Sequence, residues 1–198
     1  MSDQLVHVVD DDPAMRDSLA FLLEAAGMQS RTYETAQALL DAAPEAGCIL
    51  TDVRMPGMSG LELVRELKRR GSALPIVVMT GHADVPMAIE AMKAGVVDFI
   101  EKPFDDDVLL AALTSALAQG EETSRLGHER AAVQARIDAL SPRERDVLGG
   151  LVAGKANKVI AFDLGISPRT VEIYRANLMT KMQAGSLSEL VRMALLVA

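Results

Sequence analysis

Cys48-Ile49-Leu50-Thr51-Asp52-Val53-Arg54-Met55-Pro56-Gly57 is the stretch on which the reading of this chain turns. A short apolar run ends on a carboxylate and breaks at once into Pro-Gly, the pattern of a buried strand meeting a loop. By itself Asp52 reads as a helix cap, a loop anion or a reactive group. Three other apolar runs also end on polar side chains. Val6-His7-Val8-Val9 stops at Asp10-Asp11-Asp12, Ile76-Val77-Val78-Met79 stops at Thr80, and Val97-Asp98-Phe99-Ile100 leads into Lys102-Pro103. If the runs are parallel strands, acids, a hydroxyl and an amine collect at one sheet edge, where open α/β sheets bind ligands.

Outward from that stretch, strand-like runs at Leu5–Val9, Met28–Tyr33, Cys48–Thr51, Ile76–Thr80 and Val97–Glu101 alternate with amphipathic stretches near Pro13–Ala26, Thr35–Ala43, Ser59–Arg70, Val85–Ala94 and Asp106–Ala118. Five β–α units make a parallel sheet covered on both faces. The second run is polar at Gln29, Ser30, Arg31 and Thr32 and belongs at an edge, which favours the 2-1-3-4-5 order of a flavodoxin-like α/β fold. The alternation stops near residue 119. Residues 120–139 are polar and read as a partly helical linker, with Leu126, Val133 and Leu140 at heptad spacing but interrupted by Gly120 and Gly127. Residues 140–198 read as a small all-α domain. Ser141-Pro142-Arg143-Glu144 is a capping box, Asn157–Leu164 a short helix, and Gly165-Ile166-Ser167 a turn. Pro168–Met182 is a capped second helix with Val171, Leu178 and Met182 facing inward, and Ser188–Val197 closes the core. This is a helix-turn-helix pattern.

Charge divides along the same line. Residues 1–120 hold 9 Lys and Arg against 19 Asp and Glu, and residues 121–198 hold 11 against 9, so an acidic module is joined to one suited to a polyanion. No apolar run approaches membrane-spanning length, the N-terminus lacks a secretory signal pattern, and the single cysteine, Cys48, reads as a core hydrophobe. These features point to the cytoplasm.

Hard divalent cations take oxygen ligands, and Asp10, Asp11 and Asp52 at adjacent strand ends would supply them to Mg²⁺. Carboxylates so close repel unless a cation compensates or a pKa rises. Lys102 could pair with Asp52 and later hold a phosphoryl oxygen, and Thr80 offers a hydroxyl to the same group. The set suits phosphoryl transfer, in which positioning and charge neutralisation do most of the catalysis. A dehalogenase-type phosphatase would share the sheet, but such enzymes carry a second acid two residues after the nucleophile, where Arg54 stands here. From the residues alone, Asp12 and Asp105–Asp107 are helix starts, His7 is packed in its strand, and for Phe99 plain strand core is one of the readings left open. His82 reads as an exposed loop residue or a pH sensor.

Val8-Val9-Asp10-Asp11-Asp12, Thr51-Asp52-Val53-Arg54-Met55-Pro56-Gly57-Met58-Ser59-Gly60, Met79-Thr80-Gly81-His82 and Phe99-Ile100-Glu101-Lys102-Pro103-Phe104 together resemble a response-regulator receiver domain over residues 1–119. The resemblance implies that Asp52 accepts phosphate from a partner histidine kinase. It implies Mg²⁺ bound by Asp11 and Asp52, by Asp10 through water and by the Arg54 backbone carbonyl. Thr80 and Lys102 would contact the phosphoryl group, Phe99 would be the switch aromatic, and Lys102–Pro103 would be cis. Leu140-Ser141-Pro142-Arg143-Glu144-Arg145, Ala156–Ala161, Gly165–Glu172 and Asn177–Met182 resemble the LuxR-type helix-turn-helix. With Gly81–Ala88, the whole chain is similar to the FixJ branch of these regulators. Arg169, Thr170, Glu172, Arg175 and Lys181 on the second helix of the motif, with Lys158 on the preceding one, are the candidate DNA contacts. Many LuxR-type helices carry a base where Glu172 stands. The resemblance implies a phosphorylation-dependent transcription regulator that dimerises on two DNA half-sites and has no separate substrate.

Overall fold

The computed structural model describes residues 4–81 and 85–197, and His82 with its neighbours Ala83 and Asp84 lies outside them. The chain divides into two units, residues 1–124 and 125–198.

In the first unit, strands β1 (Leu5–Val9), β2 (Gln29–Tyr33), β3 (Cys48–Asp52), β4 (Ile76–Thr80) and β5 (Asp98–Glu101) form one parallel sheet in the order β2-β1-β3-β4-β5. This is the flavodoxin-like order expected from the polarity of β2, which has no fully buried residue. β3 and β4 are buried along their whole length, as central strands covered on both faces must be. Strand alternation divides the core into two layers. Val9, Ile49 and Val78 pack against α2 (Ala36–Ala42), α3 (Gly60–Arg69) and α4 (Val85–Ala94). Val6, Val8, Leu50, Val77 and Met79 pack against α1 (Pro13–Ala25) and the start of α5 (Asp106–Asp138). Each fully buried aliphatic side chain contributes roughly 1.5–3 kcal/mol.

The helices start where the caps put them. Asp12 accepts from Ala14 N ahead of Pro13, Thr35 from Ala38 N, and Ser59 forms a complete capping box with Glu62. His7 is buried inside β1, as expected of a packed residue. Its Nε2 lies 3.0 Å from the Ala46 carbonyl and its Nδ1 3.1 Å from the Tyr33 hydroxyl. A carbonyl only accepts, so Nε2 carries the proton and Nδ1 accepts from Tyr33.

α5 departs from the sequence reading, which ends the fifth helix at Ala118 and leaves residues 120–139 partly helical. The helix continues to Asp138. Gly120 does not interrupt it, because a Cβ there would meet the Pro75 ring at 2.9 Å and glycine permits that approach. Residues 121–132 are exposed on every side, so the amphipathic signal vanishes while the helix persists. Val133 and Leu140, two members of the heptad fragment, are buried in the core of the second unit, while Leu126 is exposed.

That unit packs the end of α5 with α6 (Pro142–Val152), α7 (Asn157–Leu164), α8 (Pro168–Met182) and α9 (Leu187–Leu196). Ser141 and Glu144 form the expected capping box, Gly165 closes α7 at φ 64°, and Ser167 caps α8 ahead of Pro168. The buried residues of α8 are Val171, Leu178 and Met182, the stripe read from the sequence. Among the described residues, no helix is long and apolar enough to cross a membrane.

Candidate functional site

The C-terminal ends of β1, β3, β4 and β5 share one edge, and Lys102, one residue beyond β5, reaches back across it. Its ammonium donates to Asp10 Oδ2 at 3.0 Å and lies 3.0 Å from Asp52 Oδ1. Both carboxylates are nearly buried, Asp10 at 2% exposure and Asp52 at 8%. Their other oxygens are also engaged, Asp10 Oδ1 by Asp12 N at 2.9 Å and Asp52 Oδ2 by Arg54 N at 3.1 Å. Burial opposes the charge on Lys102, but the hydrogen bonds and charges of Asp52 and Asp10 outweigh it, and its pKa is raised.

The backbone holds this arrangement from behind. Lys102 N donates to the Thr80 carbonyl at 2.7 Å, and the Lys102–Pro103 bond is cis. Gly60 N donates to the Val53 carbonyl at 2.9 Å, and a Cβ on Gly60 would stand 2.1 Å from the Asp52 carbonyl oxygen. Only glycine lets α3 start so close behind the acid. Arg16, on α1, donates to the Asp10 carbonyl at 2.7 Å. Neither contact was among the candidates. Gly60 is quoted in the receiver-like motif without a role, and Arg16 gives no signal beyond its place one turn after the Asp12 cap.

Asp10, Asp52 and Lys102 are therefore brought into direct contact. Asp11 is exposed and outside that hydrogen-bonded set. Thr80 is buried, with its hydroxyl donating to the Met87 sulfur on α4 at 3.7 Å. Phe99 is half-buried on β5, beside Val78 in register and packed on the α2–α3–α4 layer. Among the described residues, no three acidic, His or Cys side chains gather as a metal set. Lys102 stands between two of the three acids, and the third points to solvent. The donor chemistry nevertheless suits a hard dication, because two buried carboxylates share one ammonium and a third, Asp11, follows Asp10 in the chain.

In the second unit, Lys158, Arg169 and Glu172 are exposed. The Thr170 hydroxyl lies 2.8 Å from Ser167 Oγ within the α8 cap. Arg175 donates to Asn157 Oδ1 at 2.9 Å, and Lys181 to Glu144 Oε2 at 2.7 Å. Glu144 is 3% exposed, and the Lys181 bond, with the Ser141 backbone bond behind it, holds its carboxyl below the usual range. The cap pattern identifies Glu144, but a partner 37 residues away leaves no local trace.

Comparison with known proteins places both units. Residues 6–114 match the family model for the response regulator receiver domain, and residues 138–194 the model for bacterial regulatory proteins of the luxR family. The chain is 60% identical to the transcriptional regulatory protein FixJ of Azorhizobium caulinodans, over 96% of this chain and 92% of that protein. Against FixJ of Rhizobium meliloti it is 51% identical, over 98% and 97%. Among solved structures, full-length FixJ from B. japonicum is 53% identical with a TM-score of 0.61, covering 100% of this chain and 98% of that one. The response regulator StyR is 38% identical with a TM-score of 0.85, covering 96% and 97%.

Proposed function

The chain belongs to the FixJ-type response regulators, a receiver domain joined to a LuxR-type DNA-binding domain, and from that premise we propose that Asp52 is the residue on which it is switched. Proteins of this family are phosphorylation-dependent transcription regulators that work with a histidine kinase, bind DNA and dimerise, and they have no separate substrate. The reading places this one in the cytoplasm, where kinase and DNA are both reached.

The observation that carries the assignment is the Lys102 ammonium held between Asp10 and Asp52 at 3.0 Å from each. Asp52 Oδ1 attacks the phosphorus of a phosphohistidine, an O–P bond forms, the N–P bond breaks, and the electron pair leaves on the imidazole. Lys102, already at the nucleophile, then pairs with a phosphoryl oxygen. The Thr80 hydroxyl turns from Met87 to another phosphoryl oxygen, and Phe99 moves inward into the space it leaves. Asp11, Asp52, Asp10 through water and the Arg54 carbonyl would hold Mg²⁺, which when bound offsets the charge on the phosphoryl oxygens. A phosphorylated receiver favours a second conformation, in which two receivers pair through α4 and β5.

In the output domain, α8 enters the major groove. Arg169 and Glu172 reach base edges, Lys158 meets a phosphate, and Thr170 lies at the same end. Arg175 and Lys181 contact DNA by exchanging Asn157 and Glu144 for it. Each dimer covers two half-sites.

The test is labelling with acetyl phosphate and Mg²⁺, followed by mass, oligomer size and DNA affinity. The wild type gains one phosphoryl group, dimerises and binds DNA more tightly. Asp52→Asn does none of these. Phosphoryl uptake and dimerisation by Asp52→Asn would overturn the assignment.

A further inference from the structure

Three arginines of the C-terminal unit each close the end of a helix. Arg145 on α6 donates to the Ile137 and Asp138 carbonyls at the end of α5, at 3.2 and 2.7 Å. Arg130 on α5 donates to the Leu196 carbonyl, the last of α9, at 3.0 Å. Arg136, also on α5, donates to the Met182 carbonyl, the last of α8, at 3.1 Å. Helix C-termini present unpaired carbonyls and the negative end of the dipole, so a guanidinium is favoured there twice over. The backbone cap of α8 engages the Met179 and Thr180 carbonyls through Gln183 N–H, and Arg136 takes that of Met182. Val133, one turn before Arg136, is buried in the same core as Val171, Leu178 and Met182.

We propose that Arg136 is a positioning residue for DNA reading, which fixes the C-terminal end of α8 and so sets how Arg169 meets the base edges. The proposal rests on α8 being the reading helix. Thirteen residues separate Arg169 from Met182, about 20 Å at 1.5 Å per residue, so Arg136 acts through the helix from its far end. Without DNA, Lys181 on Glu144 fixes that same end from α6, and when Lys181 turns to DNA the Arg136 bond from α5 is the hold that stays. Val171 seats the start of α8 in the core, and a small tilt at the Met182 end is passed along the helix to Arg169, two residues before Val171. The last turns of α5 are thus part of the DNA-reading apparatus, although their sequence reads as linker.

The experiment uses the full chain, labelled with acetyl phosphate and Mg²⁺. One probe is an operator that the wild type selects from a random-sequence duplex pool, and the other an unrelated duplex of equal length, both titrated over a series of salt concentrations. For Arg136→Gln, operator affinity falls about tenfold while affinity for the unrelated duplex changes less than about twofold, as loss of one charge-assisted hydrogen bond implies. The salt slope is unchanged, and Arg136→Lys restores most of the operator preference. Arg130→Gln removes the equivalent bond at α9 and keeps the preference, which separates positioning from general destabilisation. A slope shallower by about 0.9 on both duplexes would make Arg136 a phosphate contact and overturn the proposal. So would an equal loss of preference in Arg130→Gln, or none in Arg136→Gln. If instead Arg169→Ala keeps the operator preference, the assignment of α8 as the reading helix fails.

Discussion

His7 shows how a single buried side chain couples this fold to pH. Burial lowers its pKa, Arg31 lowers it further, and the Ala46 carbonyl only partly opposes them. The folded state therefore favours the neutral ring. The unfolded chain binds more protons once pH drops below about 6.5, so stability is full above that value and declines as pH falls toward the depressed folded pKa. Thermal unfolding between pH 7.5 and 5.5 should show the wild type losing stability on acidification and His7→Gln losing less, from a lower start. Equal slopes in the two proteins would remove His7 from this role. Glu66 does not enter that window, since its bonds to Arg69 and Arg70 hold its pKa at about 2. Lys102 acts at the other extreme. Its raised pKa means that its contribution is complete below about 10.4 and is lost only as pH climbs through the raised value. At this scale the sequence announced carboxylates, hydroxyl and amine because each ends an apolar run. It was silent on the Thr80–Met87 and Lys181–Glu144 contacts, which join residues whose local patterns do not refer to each other.

The sheet and the helix-turn-helix were legible almost to the residue, because β3 and β4 are apolar throughout and α6, α7 and α8 carry their own start and stop signals. α5 was not, because two glycines and a stretch exposed on every side, without an apolar stripe, mimic a linker. Those glycines differ in what surrounds them. A Cβ on Gly127 meets nothing within 4 Å, whereas one on Gly120 meets the rigid Pro75 ring at 2.9 Å. Gly127→Ala should stabilise α5 by about 0.5–1 kcal/mol, the usual helix-interior gain. Gly120→Ala should lose that gain and more, since overpacking costs about 1–3 kcal/mol. Thermal melts with amide exchange along α5 check both. Slower exchange around residue 127 with a raised melting temperature is the expected result for the first, and a lowered melting temperature for the second. A stabilising Gly120→Ala would mean that the Pro75 contact yields easily.

For the whole molecule, the division of charge decides how DNA binding responds to salt. Only the second unit carries a positive balance, 11 basic against 7 acidic side chains from residue 125 onward, so affinity should come from few phosphate contacts and from dimerisation. Lys158→Ala should weaken operator and unrelated DNA alike and make the log–log salt slope shallower by about 0.9. Arg169→Ala should instead cost roughly 1–3 kcal/mol on the operator with less effect elsewhere. Titrations at several ionic strengths separate the two, and an exchange of these signatures would reverse the assigned roles.

The chain holds two tyrosines and no tryptophan. Tyr33 donates to His7 in the first unit, and Tyr174 packs at the edge of the core in the second. Under ultraviolet excitation, nothing in the protein absorbs to the red of these two phenols or masks their emission. Each half of the switch thus carries one built-in optical reporter. Tyr33→Phe would leave Tyr174 as the sole emitter and let the DNA-binding half be followed in the intact protein, without a dye.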